Sequence, residues 1–257
     1  MLSQESKENI KTILNNIFKN VDIEHNAYSC YADTIFQDCH CNHTKDYYDY
    51  GVSKMVFFFQ DILKLGYVVK IPFAGMSDEG WDESIVDSDG YVSYYYHGAS
   101  MGEDFSNANI WRGDTHLEDI AQKYNFDIYN EWDYCKTEAE LTSFIEGKAI
   151  EDYFCKTYYI GDINNWPVYI SEYAEKDCYE IVASEDSISK SKTYEGIERI
   201  GYWMIAKMLE NRPKEITDCI QDLLDFCNEF RLNDFHGGNF RASNGRVKIV
   251  DYSGFNE

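Results

Sequence analysis

LNDFHGGNFRASNGRVKIVDYSGF, Leu232 to Phe255, sets three residues suited to phosphate and metal chemistry close together: Asp234, Asn239 five positions on, and Asp251 twelve further. Between the last two lie FRAS and RVKIV, two short runs flanking Asn244-Gly245. That dipeptide favours a two-residue hairpin turn because both positions accept positive φ. A hairpin of this length returns the chain to its start, so Asp251 is expected beside Asn239 in one cleft. Two hard oxygen donors held together suit a divalent cation, and a separate carboxylate suits the acceptance of a hydroxyl proton.

Composition bounds what surrounds this stretch. The 257 residues suffice for one large domain or two lobes with a sizeable core, and a hydrophobic content of 44% is that of a globular chain. With 23 Lys and Arg against 46 Asp and Glu, nothing offsets phosphate repulsion, which argues against nucleic acid as a direct ligand. Such acidity serves solubility, or mimics nucleic acid toward a basic partner. The opening MLSQESKENIKTIL carries acids and lacks a long apolar run, so neither a signal peptide nor a membrane span is expected and a cytoplasmic location is. The eight cysteines then read as reduced thiols, with Cys135, Cys155, Cys219 and Cys227 in the core. Cys39, His40, Cys41 and His43, with Cys30 and His25 nearby, form a dense group of soft ligands, but zinc sites usually space theirs more widely.

Ahead of the quoted stretch, Ile10, Ile13, Leu14 and Ile17 make one stripe of an amphipathic helix within residues 4–20. Residues 22–50 are expected to be irregular or short-stranded. Two hydrophobic runs, Lys54 to Phe59 and Tyr67 to Ile71, predict an antiparallel hairpin. Within the second, V-V-K-I places Lys70 inside an apolar strand, where a cation needs an anion. Asp133 is a plausible N-cap for a helix whose Leu141, Phe144 and Ile145 share a stripe. Glu138, three residues before Leu141, falls on that inward side, where Lys70 would relieve it; Glu140 points more toward solvent. Residues 74–130 hold twelve acidic and two basic residues along with Trp81, Trp111 and Tyr129, the composition of a partner-binding face. Two further strand-like runs, 157–160 and 168–173, complete a five-stranded sheet. Helices are expected over 194–210 and, opened by Pro213, over 213–230; between sheet and helices, 175–192 reads as an exposed polar segment.

D-x-H-x-G-N followed by a strand ending in I-V-D resembles the catalytic and metal-binding loops of the protein-kinase-like superfamily, in the version of the aminoglycoside phosphotransferases. The resemblance implies Asp234 as catalytic aspartate, Asn239 and Asp251 as Mg2+ ligands, and Lys70 with Glu138 as the pair that holds the phosphates of ATP. It implies Gly51 and Ser53 at a phosphate-covering turn. Backbone groups from Ser171 to Ala174, thus of Glu172, Tyr173 and Ala174, would face an adenine edge. The fold implied is α+β and two-lobed: a helical extension over 1–50, an N-lobe with an antiparallel five-stranded sheet over 51–174 carrying the acidic insertion 74–130, and a truncated, mainly helical C-lobe over 175–257. The sequence departs from the family in having Leu232 and Asn233 where histidine and arginine usually precede the catalytic aspartate, and one glycine in the turn where protein kinases carry three. It also stops six residues after Asp251, resembling a minimal kinase-like protein of phage or mobile-element type. Two expectations follow: a phosphotransferase with ATP and Mg2+, or a weak or inactive kinase-like binding protein, a pseudokinase or acidic mimic, that grips a host macromolecule through the insertion.

Overall fold

The computed structural model describes residues 2–27, 32–41, 43–51, 54–73, 95–96, 99–100, 123, 133–177, 182–232 and 235–252. These divide into two compact units, Met1–Glu140 with Thr157–Ser171, and Leu141–Lys156 with Glu172–Glu257.

In the first unit, α1 (Gln4–Ile17) opens on Ser3, whose hydroxyl accepts the Ser6 amide, and buries Ile10, Leu14 and Ile17 as its spacing predicts. Residues 22–50, expected to be irregular or short-stranded, hold two short helices ahead of a short strand. They form α2 (Ile23–Asn26), capped by the Asp22 carboxylate, then α3 (Ala32–Asp38), then β1 (Tyr47–Tyr50). These are one- and two-turn helices, too short for a periodicity to stand out, and Ala32 and Ile35 alone mark the buried side of α3. β1 pairs antiparallel with β2 (Lys54–Phe58), Tyr47 opposite Phe58 and Tyr50 opposite Met55, so a strand of the main sheet lies inside the stretch read as an extension. A one-turn helix, α4 (Gln60–Leu63), connects β2 to β3 (Tyr67–Pro72). With β6 (Thr157–Ile163) and β7 (Trp166–Glu172), these make a five-stranded antiparallel sheet in the order β1-β2-β3-β7-β6.

Strand alternation gives this sheet two unlike faces. Met55, Phe57, Val69, Ile71, Tyr158, Ile160, Val168 and Ile170 join the buried residues of α1 and α3 in one core. The intervening positions present Lys54, Lys70, Thr157, Tyr169 and Ser171, all buried and all polar or amphipathic. Of residues 74–130, expected to be an acidic insertion, the described ones are a two-residue antiparallel pair, β4 (Tyr95–Tyr96) with β5 (Ala99–Ser100), and Lys123; the acidic residues of the stretch and Trp81, Trp111 and Tyr129 lie outside the described residues.

α5 (Tyr134–Ile145) starts in the first unit and continues into the second. The second unit is less purely helical than expected. A three-stranded sheet, β10-β9-β8, assembles from β8 (Lys176–Asp177), β9 (Phe240–Ser243) and β10 (Arg246–Ile249). The segment read as exposed, 175–192, supplies β8 and a helix, α6 (Glu185–Ser191), whose first turn is capped by the Ser184 hydroxyl. The helix expected over 194–210 is a single 3₁₀ turn (Ile197–Arg199) followed by α7 (Tyr202–Leu209). The two are separated by Gly201 at φ +83°, and Gly196 stands ahead of the turn at φ +71°. The helix expected over 213–230 divides into α8 (Lys214–Thr217), preceded by Pro213, and α9 (Ile220–Glu229). Ile220, Leu223, Leu224 and Cys227 of α9 are buried as the stripe predicts. Cys219 falls at the break and is half-buried rather than core, whereas Cys135, Cys155 and Cys227 are buried. Arg212 threads under this unit: its guanidinium meets the Asp152 carboxylate and the Val247 carbonyl and lies 4.1 Å from the Tyr153 ring centroid. No described helix is long and apolar enough to cross a membrane.

Candidate functional site

In the first unit the chemistry gathers on the polar face of the sheet, beneath the start of α5. Asp133 caps that helix: its Oδ1 accepts the Lys136 amide at 2.8 Å, and its Oδ2 accepts the Tyr169 hydroxyl at 2.6 Å. Burial raises the Asp133 carboxyl to about 6, against these hydrogen bonds. Just over one turn on, Glu138 has no exposed surface at all. Its Oε2 accepts from Lys70 Nζ at 2.5 Å and from the Thr157 hydroxyl at 2.8 Å, and its Oε1 accepts from Lys54 Nζ at 2.9 Å. Glu140, the competing carboxylate, is half-buried and 3.9 Å from Lys136, one turn away on the same helix. The pairing expected from two separately awkward charges, Lys70 and Glu138, is therefore the arrangement found.

Lys54 was read as the first residue of the strand run Lys54 to Phe59, with no partner expected for its side chain. The signal lay in parity. Val56 is the register partner of Lys70 and Lys54 that of Pro72, so two lysines two positions apart occupy one face of adjacent strands. Gly51 lies at the turn from β1 into β2, where its amide donates to the Lys54 carbonyl at 3.0 Å and an added Cβ would meet nothing within 4 Å. Ser53 lies outside the described residues.

In the second unit the hairpin forms as its dipeptide predicts. Asn244 and Gly245 take φ of +53° and +72°, and pairing runs from Arg246 opposite Ser243 to Ile249 opposite Phe240. The returning chain closes on its start, because the Val250 amide donates to the Asn239 carbonyl at 2.9 Å. Asn239 ends a 3₁₀ turn (Gly237–Asn239) and is 5% exposed; the His236 ring accepts the Gly238 amide at 3.0 Å, close enough that a Cβ on Gly238 would stand 2.8 Å from that ring. On its other side β10 is held by the Cys155 amide, which donates to the Ile249 carbonyl at 2.8 Å. Tyr252 then fixes the position after Asp251: its ring is buried edge-on against Phe154, its hydroxyl lies 2.9 Å from the Thr142 hydroxyl, and it donates to the Cys155 carbonyl at 3.1 Å. Sequence reasoning gave Tyr252 no role. Asn239 and half-buried Asp251, an amide oxygen and a carboxylate on hydrogen-bonded neighbouring segments, are a donor set that fits Mg2+, which keeps water or phosphate oxygens in its remaining positions. Asp234 and Asn233 lie outside the described residues.

The chain passes from the first unit to the second between Ser171 and Glu172, inside the stretch expected to face an adenine. Glu172 donates its amide to the Lys156 carbonyl at 3.0 Å, so that N–H is committed to strand pairing. Its carboxylate lies 3.4 Å from Lys156 Nζ and 3.7 Å from Lys248 Nζ. Tyr173 and Ala174 follow, Ala174 being buried. Around the Cys/His group, Cys39 donates to the Ile35 carbonyl and His43 lies 3.0 Å from Asp61. Among the described residues no three His, Cys, Asp or Glu side chains are grouped to hold a metal.

Compared with protein-family models, curated proteins and solved structures, the chain matches none.

Proposed function

We propose that this chain is an ATP- and Mg2+-dependent phosphotransferase of the kinase-like kind. One observation carries the reading: a fully buried glutamate on α5 bonded to Lys70 in the middle of β3. Burying an ion pair at this depth does little for stability compared with apolar residues of the same volume, so its retention points to a use for the cation. A carboxylate fixes where the ammonium of a lysine sits, and an ammonium so placed is a suitable charge for phosphate oxygens. In the second unit Asn239 and Asp251 supply the oxygen donors for Mg2+, which neutralises charge on the transferring phosphoryl group. Asp234, placed by its motif, accepts the proton of the acceptor hydroxyl and orients it. The Glu172 amide is engaged in strand pairing, and Tyr173 and Ala174 follow it in the stretch proposed to face an adenine edge.

The excess of 46 acidic over 23 basic residues favours a second reading, a binding protein that docks an acidic surface on a basic macromolecule. Two variants separate the readings. Mg-ATP should stabilise the wild-type fold by about 2.7 kcal/mol at a hundredfold excess over its dissociation constant, and ATP without Mg2+ should do less. Asp251→Asn should weaken that shift and abolish transfer, whereas Asp234→Asn should keep it and slow labelled-phosphate transfer about 10²-fold or more. No thermal shift at millimolar Mg-ATP refutes the enzyme and leaves the acidic-surface reading.

A further inference from the structure

The Cys/His group that the sequence singles out contains a pair of thiols for which the proposed phosphoryl transfer has no use. Cys39 and Cys41 are hydrogen-bonded to each other through their sulfurs, are each half-buried, and pack on the core of the five-stranded sheet. We infer that Cys39 and Cys41 are a redox-active dithiol, a modification site in the first unit that closes to an intramolecular disulfide by exchange with a small disulfide such as oxidised glutathione. The inference is independent of the phosphotransferase reading.

The physical case begins with the backbone. Three residues of extended chain set their first and third Cα atoms about 7 Å apart, whereas a disulfide spans about 4.4–6.8 Å. Here the Cys41 amide donates to the Cys39 carbonyl at 2.8 Å, which closes a three-residue turn and draws its ends together. The turn is itself held in place: the Cys39 amide donates to the Phe36 carbonyl at 3.2 Å, and the His40 amide donates to the Ile17 carbonyl, at the end of α1, at 2.8 Å. Closing the bridge gives up the bond from the Cys39 thiol to the Ile35 carbonyl, and a thiol is a weak donor. Electrostatics favours the bridge over charged products. Burial raises both thiols and Asp46 adds to the rise at each, so a thiolate, or an adduct with anionic glutathione, puts charge where it is unwelcome. A disulfide carries none. The hydrogen bond between the thiols opposes the rise at Cys41 and adds to it at Cys39, so Cys41 ionises first. Its thiolate attacks one sulfur of glutathione disulfide and expels a glutathione thiolate, which takes up a proton; Cys39 then loses its proton, attacks the Cys41 sulfur and expels the second. Two protein thiols and one glutathione disulfide become one protein disulfide and two glutathione thiols.

The full chain, reduced, incubated with millimolar oxidised glutathione, quenched with acid, alkylated and mapped by mass spectrometry, tests this. The peptide that carries both residues should lack two hydrogens and take no alkylating group. This bridged form should outnumber glutathione adducts at either residue about tenfold or more, because the neighbouring thiol competes at a high effective concentration. Cys39→Ser and Cys41→Ser should instead keep a glutathione adduct on the remaining cysteine of the pair, and Cys30→Ser should form the bridge as the wild type does. The deciding readout comes from the wild-type chain, so a variant that fails to fold does not affect it. Wild-type protein in which Cys39 and Cys41 are alkylated as free thiols, keep their glutathione adducts, or are bridged to another cysteine such as Cys30 overturns the inference.

Discussion

Replacing Glu138 by glutamine is the most demanding test of the buried charge cluster. The substitution keeps the side-chain length and one carbonyl oxygen but removes the negative charge that faces two buried lysines. Breaking a buried pair by removing one partner costs about 3–5 kcal/mol, because the remaining charge keeps its desolvation penalty without its compensation. The retained oxygen still accepts one hydrogen bond, which places Glu138→Gln near the lower end, about 3 kcal/mol, or about 6–12 °C in melting temperature for a unit of this size. Urea unfolding followed by near-ultraviolet dichroism measures the difference. Glu140→Gln is the internal control: half-buried and 3.9 Å from Lys136, it should change stability by no more than about 0.5 kcal/mol. The triple variant Glu138→Leu, Lys54→Met, Lys70→Met should recover most of the loss, since apolar groups of similar volume leave no charge to compensate. A Glu138→Gln effect no larger than that of Glu140→Gln refutes the reasoning. A triple variant as unstable as the single one refutes the assignment of the loss to uncompensated charge.

Three further outcomes are expected. The Asp133 carboxyl titrates near 6 in the folded chain against an ordinary 3.8, so between those values the native state holds a proton that the unfolded state has lost, and its contribution to stability falls as pH rises, by about 3 kcal/mol in all. Asp133→Asn, which can still cap α5, should remove that slope, and parallel pH–stability curves for the two proteins would contradict it. Gly245→Val forces a β-branched residue to φ +72° and should cost about 1–3 kcal/mol, read as faster exchange of the Val250 and Ile249 amides. Reversing the charges of Asp78, Glu79, Asp82, Glu83, Asp87 and Asp89 should abolish capture of a basic protein partner without lowering the melting temperature; unchanged capture would return these residues to a solubility role.

What could be read from the sequence was whatever stood out against its neighbours. Lys70 is legible because V-V-K-I surrounds it with apolar residues, and Glu138 because it shares a helical face with Leu141. Asn244-Gly245 is legible because its turn chemistry is local. The α1 stripe is legible because fourteen helical residues give a 3.6-residue period time to repeat. Elements that took their form from distant partners were not. β1 is a four-residue YYDY run with no apolar alternation, and only its pairing with β2 makes it a strand. β8 is two residues long and exists by pairing with β9. α7 and α9 begin later than their apolar stripes suggest because Gly201 and the Asp218–Cys219 turn interrupt the helical path, and a hydrophobic period continues across such breaks without recording them.

The same limit decides which charge clusters carry function. Among the described residues, two carboxylates each lie within 4 Å of two lysines: Glu138 with Lys54 and Lys70, and Glu172 with Lys156 and Lys248. By composition alone they are equivalent, and composition does not rank them. Burial does. The Glu172 side chain and its lysines are 26%, 15% and 20% exposed, with separations of 3.4 and 3.7 Å, so water screens them and the cluster does little beyond positioning a strand end. The Glu138 cluster is buried, and its contacts of 2.5 and 2.9 Å are therefore little screened by water. A cluster that is costly to bury is the one for which a ligand role is proposed. That contrast supports the proposal that places phosphate chemistry at Lys70 and Glu138 rather than at the lysines around Glu172.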